Sequence, residues 1–305
     1  MTITRREFVT GATFAVAAAA FADNAKTQRL PIAFSTLGCP AWNLDKILSF
    51  AEAHGYAAIE LRGLEGNLDL PSHPAFAPDK ITETRKSFAA HGLKIACVSS
   101  SARMGEPDQE KHAKEMTDGR RFIDLAASLE APYVRVFGDG TTTETGIPPS
   151  DALKARVAAG LRDLGGYSGA KNVTVILESH DNFTSSATLR DVMQRADSPH
   201  VALLWDAHHT FATGKEEPEF TVKQLGRWIR HTHLKDSVPA GDDRKYVLTG
   251  RGDVPIRRQI AALQSISYPG YYCFEWEKVW HPDLADPEIA IADYATVVTG
   301  YLRGI

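Results

Sequence analysis

Apolar residues along this chain recur in short runs of five to seven, each stopping at a polar residue or glycine and followed by a segment with helical spacing. The runs are Ile32–Leu37, Ala57–Arg62, Lys94–Ser99, Tyr133–Phe137, Val173–Glu178, Val201–Asp206, Ile229–Lys235 and Tyr271–Glu277. Between and after them, amphipathic patterns predict helices near 44–54, 78–91, 108–129, 150–169, 187–197, 220–228, 256–267 and 287–302. The strands are rich in residues that suit burial on both faces, as parallel strands covered by helices require.

Eight strand–helix units predict an α/β fold, a parallel TIM (β/α)8 barrel closed on itself. An open doubly wound sheet is the competitor. For nucleotide binding, such a sheet calls for a glycine-rich turn after its first strand, and Thr36-Leu37-Gly38-Cys39-Pro40 is neither G-x-G-x-x-G nor a P-loop. No linker rich in Pro, Gly or Ser interrupts the alternation, so one domain accounts for it.

The start of the chain breaks the pattern. Thr4-Arg5-Arg6-Glu7-Phe8-Val9 precedes a small, weakly apolar run from Gly11 to Ala20, and Ala20-Phe21-Ala22 then gives an A-x-A site before Asp23. This resembles a twin-arginine export signal, which implies removal of residues 1–22, a barrel domain over 23–305 and a periplasmic location. That route carries folded cargo, often loaded with a metal or cofactor. No other stretch is long and apolar enough to span a bilayer, so no membrane association is expected after cleavage.

Composition narrows the partners. Of 305 residues, 43% are hydrophobic and 24% charged, which suits a large core. With 34 Lys and Arg against 38 Asp and Glu, the net charge of −4 argues against nucleic acid. A small molecule is the expected partner, and a homo-oligomer is compatible with everything in the sequence. Cys39, Cys97 and Cys273 are widely spaced and read as buried thiols.

In a barrel of this kind, chemistry gathers at the C-terminal ends of the strands. The fifth strand ends Glu178-Ser179-His180, the sixth Asp206-Ala207-His208-His209, the seventh reads His231-Thr232-His233-Leu234-Lys235-Asp236, and the eighth Glu275-Trp276-Glu277. Three converging acids desolvate and repel one another unless a cation offsets both effects. A set of Glu178, Asp206, His233 and Glu275 suits one divalent ion, Mn, Mg or Co, and admits Zn. The two-residue strand period puts His231, His233 and Lys235 on one face, and Glu275 with Glu277 on another, so parity leaves the choice within each set open.

Glu178-Ser-His, Asp206-x-x-His209, His233-Leu-Lys-Asp236, Gly250-Arg-Gly-Asp-Val-Pro255 and Phe274-Glu-Trp-Glu277 resemble the xylose isomerase-like barrels, the sugar phosphate isomerase/epimerase family. The resemblance spans essentially the whole chain beyond the leader. It implies that Glu178, Asp206, His233 and Glu275 hold the metal, that Glu178 and Glu275 are the catalytic acid/base pair, and that His209 contacts substrate. A substrate arginine of the related ketose epimerases would fall at Pro239, so recognition differs here, with Arg62, Arg135 and Arg251 as substitutes. The trinuclear endonuclease IV of the same fold needs further histidines. Here the third strand ends Ser99-Ser100-Ser101, and no histidine occurs from Ser237 to Gly252.

The expected activity is that of a divalent-metal-dependent sugar isomerase or epimerase, in which Glu178 or Glu275 takes the proton next to a carbonyl. Export and the lack of a phosphate loop point to a non-phosphorylated sugar. Glu60, Arg62, His180, His209 and Lys235 are the expected sugar contacts, with Trp42, Phe137 and Trp280 as stacking surfaces. The alternatives are a lyase or hydrolase of 3-keto-glycosides on the same site, and a periplasmic sugar-binding barrel without turnover.

Overall fold

The computed structural model describes residues 29–139, 146–241 and 243–304. The expected leader, and the domain boundary after residue 22, lie outside the described residues.

Eight strands close into a parallel barrel: β1 (Ile32–Ser35), β2 (Ala58–Leu61), β3 (Lys94–Arg103), β4 (Tyr133–Phe137), β5 (Thr174–Glu178), β6 (Val201–Asp206), β7 (Ile229–Leu234) and β10 (Tyr272–Phe274). Neighbours in sequence are neighbours in the sheet, and β10 completes the ring between β7 and β1. Helices α1 (Leu44–Ala53), α2 (Ile81–Ala90), α3 (Gln109–Ser128), α4 (Asp151–Gly169), α5 (Ser186–Ala196), α6 (Ala207–Ala212), α7 (Pro218–Leu225) and α8 (Ile256–Ser265) connect the strands, and α9 (Pro287–Arg303) follows the last of them. Asn43, Asp108, Ser150 and Ser185 start α1, α3, α4 and α5 by accepting hydrogen bonds from first-turn amides. The barrel predicted from the sequence is therefore the fold observed.

The main apolar core joins the outward strand positions to the helices. The inward positions form separate, smaller clusters: Ala33, Ala58, Ala96 and Cys273 in one, and Cys97, Ile176, Ala202 and Leu204 in another. Small residues are needed there because eight strands leave an interior only wide enough for side chains to fill. All three cysteines are free and buried, and burial raises their thiol pKa values, which makes them packing groups rather than nucleophiles.

Helix α6 and a hairpin of two strands went unpredicted. The six-residue α6 is too short to show a helical period, and its start is set by the Asp206 carboxylate capping the amides of His208 and His209 at 2.9 and 3.2 Å. The antiparallel hairpin of β8 (Asp236–Ala240) and β9 (Asp243–Val247) rises from the rim after β7. It lacks alternation in its apolar residues because much of it faces solvent.

Behind the hairpin, the Asp236 carboxylate accepts from the amides of Ser237, Gly250, Gly252 and Val254 at 2.9, 2.8, 2.9 and 3.3 Å. This explains the spacing of the Asp236 and Gly250-x-Gly252 motifs. A Cβ on Gly252 would lie 2.1 Å from Asp236 Oδ1 and 2.2 Å from the Ser237 carbonyl oxygen.

Candidate active site

Alternation along each strand produces the site. The inward column of β2 runs Ala58, Glu60; that of β5 Ile176, Glu178; that of β6 Ala202, Leu204, Asp206; and that of β7 His231, His233, with Lys235 next in step. Past β10, Cys273 is followed in the same phase by Glu275 and Glu277. The columns of β2, β5, β6 and β10 thus pass from small or apolar at the bottom to ionisable at the mouth, while that of β7 is ionisable throughout.

Glu178, Asp206, His233 and Glu275 come together, each offering one donor atom within 4.8 Å of the others. From Nδ1 of His233, Glu178 Oε1 is 2.8 Å away, Glu275 Oε1 3.2 Å and Asp206 Oδ2 3.9 Å. All four residues are buried. Three carboxylate oxygens and an imidazole nitrogen converging on one point form a donor set that fits a divalent ion.

Glu60 lies on the other side of the imidazole. Its Oε2 accepts from Nε2 of His233 at 2.8 Å and from Nε2 of His231 at 2.7 Å. Burial pushes the Glu60 carboxyl up, but His233 and His231 outweigh it and hold the group well below the usual range. As an anion it can only accept, so Nε2 of His233 carries hydrogen and Nδ1 faces the acids. This is the carboxylate–histidine arrangement that orients a metal-ligating imidazole.

Lys235 is equally enclosed. Its Nζ lies 2.7 Å from Asp206 Oδ2, 2.5 Å from Glu275 Oε2 and 2.8 Å from Glu277 Oε1. These acids overcome the desolvation of the ammonium and raise its pKa well above the ordinary lysine value. Glu277 also accepts from the Tyr246 hydroxyl of the hairpin at 2.9 Å. The choices left open by parity are therefore separated: His233 and Glu275 face the acid cluster, His231 turns to Glu60, and Glu277 turns to Lys235 and Tyr246.

The charges of the acids follow from these contacts. Burial raises the Glu178 carboxyl, but Arg135 and His233 more than compensate and hold it at about 2. Glu275 is likewise lowered against its burial, by His233 and Lys235. Asp206 is the exception: burial dominates over His209 and Lys235, and its pKa rises.

Above the cluster opens a cavity of about 450 Å³ whose wall includes Arg62, Ser101, Arg103, Arg135, Phe137, Glu178, His180, Glu275, Glu277 and Trp280. His180 sits in this wall, its Nδ1 2.8 Å from Asp181 Oδ1 and its ring centroid 4.6 Å from that of His209. Arg62 donates from Nη2 to Ser101 at 2.9 Å, and burial together with Arg135 lowers its pKa to about 9. Trp280 stands at the rim, 52% exposed.

Several sequence expectations change place. Glu60 and Lys235, expected against the sugar, do not line the cavity, because inward strand phase buries them among partners of opposite charge. His209 is also buried outside the cavity wall, with Nε2 3.4 Å from Asp206 Oδ2. Arg62 and His180 are in the wall. Among the aromatics, Trp42 packs in the core beside Phe50. Arg251 pairs with Asp293 on the exterior, away from the cavity. Arg135 interrupts the apolar strand Tyr133–Phe137 at an inward position, which is the signal that marks it.

Residues 48–294 match the family described as xylose isomerase-like TIM barrel. An inosose dehydratase of Geobacillus thermodenitrificans is 25% identical over 246 residues, covering 72% of this chain and 79% of its own. An inosose isomerase of Halalkalibacterium halodurans is 22% identical, covering 75% and 80%. The crystal structure of the IolI protein with a bound zinc atom superposes with a TM-score of 0.73 at 18% identity, over 90% of this chain and 99% of that one, a likeness of fold. By its closed barrel and the match over most of its length, this chain belongs to the xylose isomerase-like TIM barrel family.

Proposed function

We propose that this protein is a divalent-metal-dependent isomerase or epimerase acting by proton transfer next to the carbonyl of a non-phosphorylated sugar or related cyclic polyol. The observation that carries the reading is that Glu178 and Glu275 both line the cavity and both approach Nδ1 of His233, at 2.8 and 3.2 Å. Glu178, Asp206, His233 and Glu275 would hold the ion, which when bound polarises a carbonyl and acidifies the adjacent C–H.

The protein groups supply the rest. Glu178 and Glu275 are held as anions and so are competent as bases toward a C–H presented in the cavity. One takes the proton, and the C–H electron pair becomes a C=C bond as the carbonyl pair moves to oxygen. Once the opposite carboxylate has taken a proton from solvent, delivering it to the other face of the same carbon gives an epimer. Delivery to the neighbouring carbon, with the hydroxyl proton passing to the former carbonyl oxygen, gives an aldose–ketose isomer. General-base help of this kind contributes about 10² to 10⁴-fold. Arg135, 3.3 Å from Glu178 Oε2, fixes the orientation of that carboxylate, and Glu60 fixes the His233 ring.

His180 favours a second outcome. Hydrogen-bonded to Asp181 and placed in the cavity wall, it can deliver a proton to a departing hydroxyl, which turns the same proton abstraction into dehydration. The inosose dehydratases among the relatives agree with that branch. The twin-arginine pattern supports a periplasmic setting and a free sugar as substrate.

The test is incubation of metal-loaded protein in D₂O with a panel of ketoses and inososes, read by NMR. Deuterium on carbon, a new epimer or isomer, or an enone is the expected result, lost in E178Q and E275Q. No incorporation and no product with metal verified in the protein would remove this reading.

A further inference from the structure

The mouth of the barrel is divided by charge. Around the closed sheet β2, β3 and β4 are contiguous, and so are β5, β6, β7 and β10. The second arc carries Glu178, Asp206, Glu275 and Glu277, while Glu60 of β2 is turned to His231 and His233. The first carries guanidinium groups: Arg62 just past β2, Arg103 at the end of β3 and Arg135 within β4 all line the cavity.

The acids of the cavity wall are matched by protein cations. Glu178 pairs with His233 and Arg135, Glu275 with His233 and Lys235, and Glu277 with Lys235. The guanidinium groups, by contrast, have donors to spare. Arg62 is 4% exposed, yet Nη2 meets only the neutral hydroxyl of Ser101, and Nη1 has no hydrogen-bond partner among the described residues. Arg135 is 1% exposed and meets Glu178 through Nε alone, at 3.3 Å, while its Nη1 also lacks a hydrogen bond among the described residues. The two guanidinium groups are near enough to repel each other.

Buried donors of charged groups left without an acceptor are unfavourable. An anion beside both offsets the cost, and the planar guanidinium fork is the side chain best matched to a carboxylate. Glu178 pairs with Arg135, and Glu275, Glu178 and Glu60 attract Arg62, yet none of them accepts a hydrogen bond from Nη1 of either arginine.

We propose that Arg62 and Arg135 form a carboxylate subsite, so that the substrate is a sugar acid with its hydroxy-ketone end toward Glu178 and Glu275 and its carboxylate toward the arginines. This rests on the proton-transfer reading above and adds the class of substrate. The cavity of about 450 Å³ accommodates a six-carbon sugar acid.

Metal-loaded wild-type protein, R62Q and R62K are titrated by calorimetry with two pairs of ligands, D-fructuronate with D-fructose and D-tagaturonate with D-tagatose. The members of each pair differ only in a carboxylate or hydroxymethyl at C6. D-fructose 6-phosphate is the fifth ligand. A uronate in at least one pair should bind about 10-fold or more tightly than its neutral partner. R62Q should bring that ratio close to one, and R62K should keep part of it.

Ratios near one in both wild-type pairs overturn the proposal, as does no measurable binding of any ligand. Equal weakening of acid and neutral sugar in R62Q, the signature of a merely structural arginine, also overturns it. Tighter binding of the phosphate than of either uronate reassigns the subsite to phosphoryl groups. Deuterium exchange into ketoses with ratios of one would remove the carboxylate subsite and leave proton transfer standing. A uronate preference without any exchange would do the reverse.

Discussion

Glu60 accepts a hydrogen bond from Nε2 of His233 at 2.8 Å, on the edge of the imidazole opposite Glu178. The ring is thereby held in one orientation, with Nε2–H on Glu60 and Nδ1 turned to the three acids. The charges of Glu275, Glu60 and Glu178 raise the imidazole pKa against its burial. Substituting Glu60 by Ala leaves His231 and His233 without their shared acceptor. Metal affinity should fall about 10- to 100-fold in E60A. Titration with Mn²⁺ or Zn²⁺, with circular dichroism as a check on folding, measures this, and unchanged affinity would contradict a positioning role for Glu60.

Removal of metal should be felt in stability as well as in turnover. An ion that binds only the folded chain stabilises it by about 2.7 kcal/mol at 100 times its Kd. Thermal unfolding in a metal buffer should therefore show a Tm that climbs with free ion concentration and returns on chelation. In D206N the same titration should give a much smaller rise, since one oxygen donor has become a neutral amide. A wild-type Tm indifferent to every divalent ion tried would count against the metal centre.

The cradle behind the hairpin predicts a loss of stability without any chemistry. Gly252 has no room for a methyl group against Asp236 and the Ser237 carbonyl. G252A should lose about 3 kcal/mol, the upper part of the usual range for overpacking. D236N, which replaces an acceptor by a donor facing backbone N–H groups, should lose a similar amount. Urea unfolding midpoints report both, and wild-type midpoints would refute the account.

On the outer surface, Asp191 bridges Lys154 of α4 and Arg195 of α5 at 2.6 and 2.7 Å. Hydrogen bonds from Arg195 and Lys154 lower its pKa below the free carboxylate value. Its contribution to stability is thus present above the unfolded pKa, near 4, and lost as pH falls through the folded value. For a partly exposed pair the size is about 0.5 kcal/mol. D191N should be less stable than wild type by this amount at pH 7, with the two curves merging below about pH 3. A gap that persists at pH 2 would show that packing, not charge, explains it.

How much of this was legible in the chain differs from residue to residue. The eight strands and the positions of Glu178, Asp206, His233 and Glu275 at their ends follow from local runs of apolar residues, because burial on both faces leaves a direct mark on composition. The hairpin 236–247 left no such mark, since much of it faces solvent. Glu60 and Lys235 are legible as groups near the mouth and expected against the sugar, but their pairing with His233 and with the acids is not. Whether a charged side chain meets substrate or a neighbouring strand depends on register between strands far apart in sequence.

Consecutive residues suffice for the barrel, its inward phase and the ionisable groups at its rim. These are period-2 and period-3.6 properties written into consecutive residues. It takes the folded barrel to settle that His231 serves Glu60 while His233 faces the acids, that Glu277 joins Tyr246 and Lys235, and that Arg62 and Arg135 line one cavity. Those pairings are set by the stagger of strands around a closed sheet, a relation among residues that no local window contains.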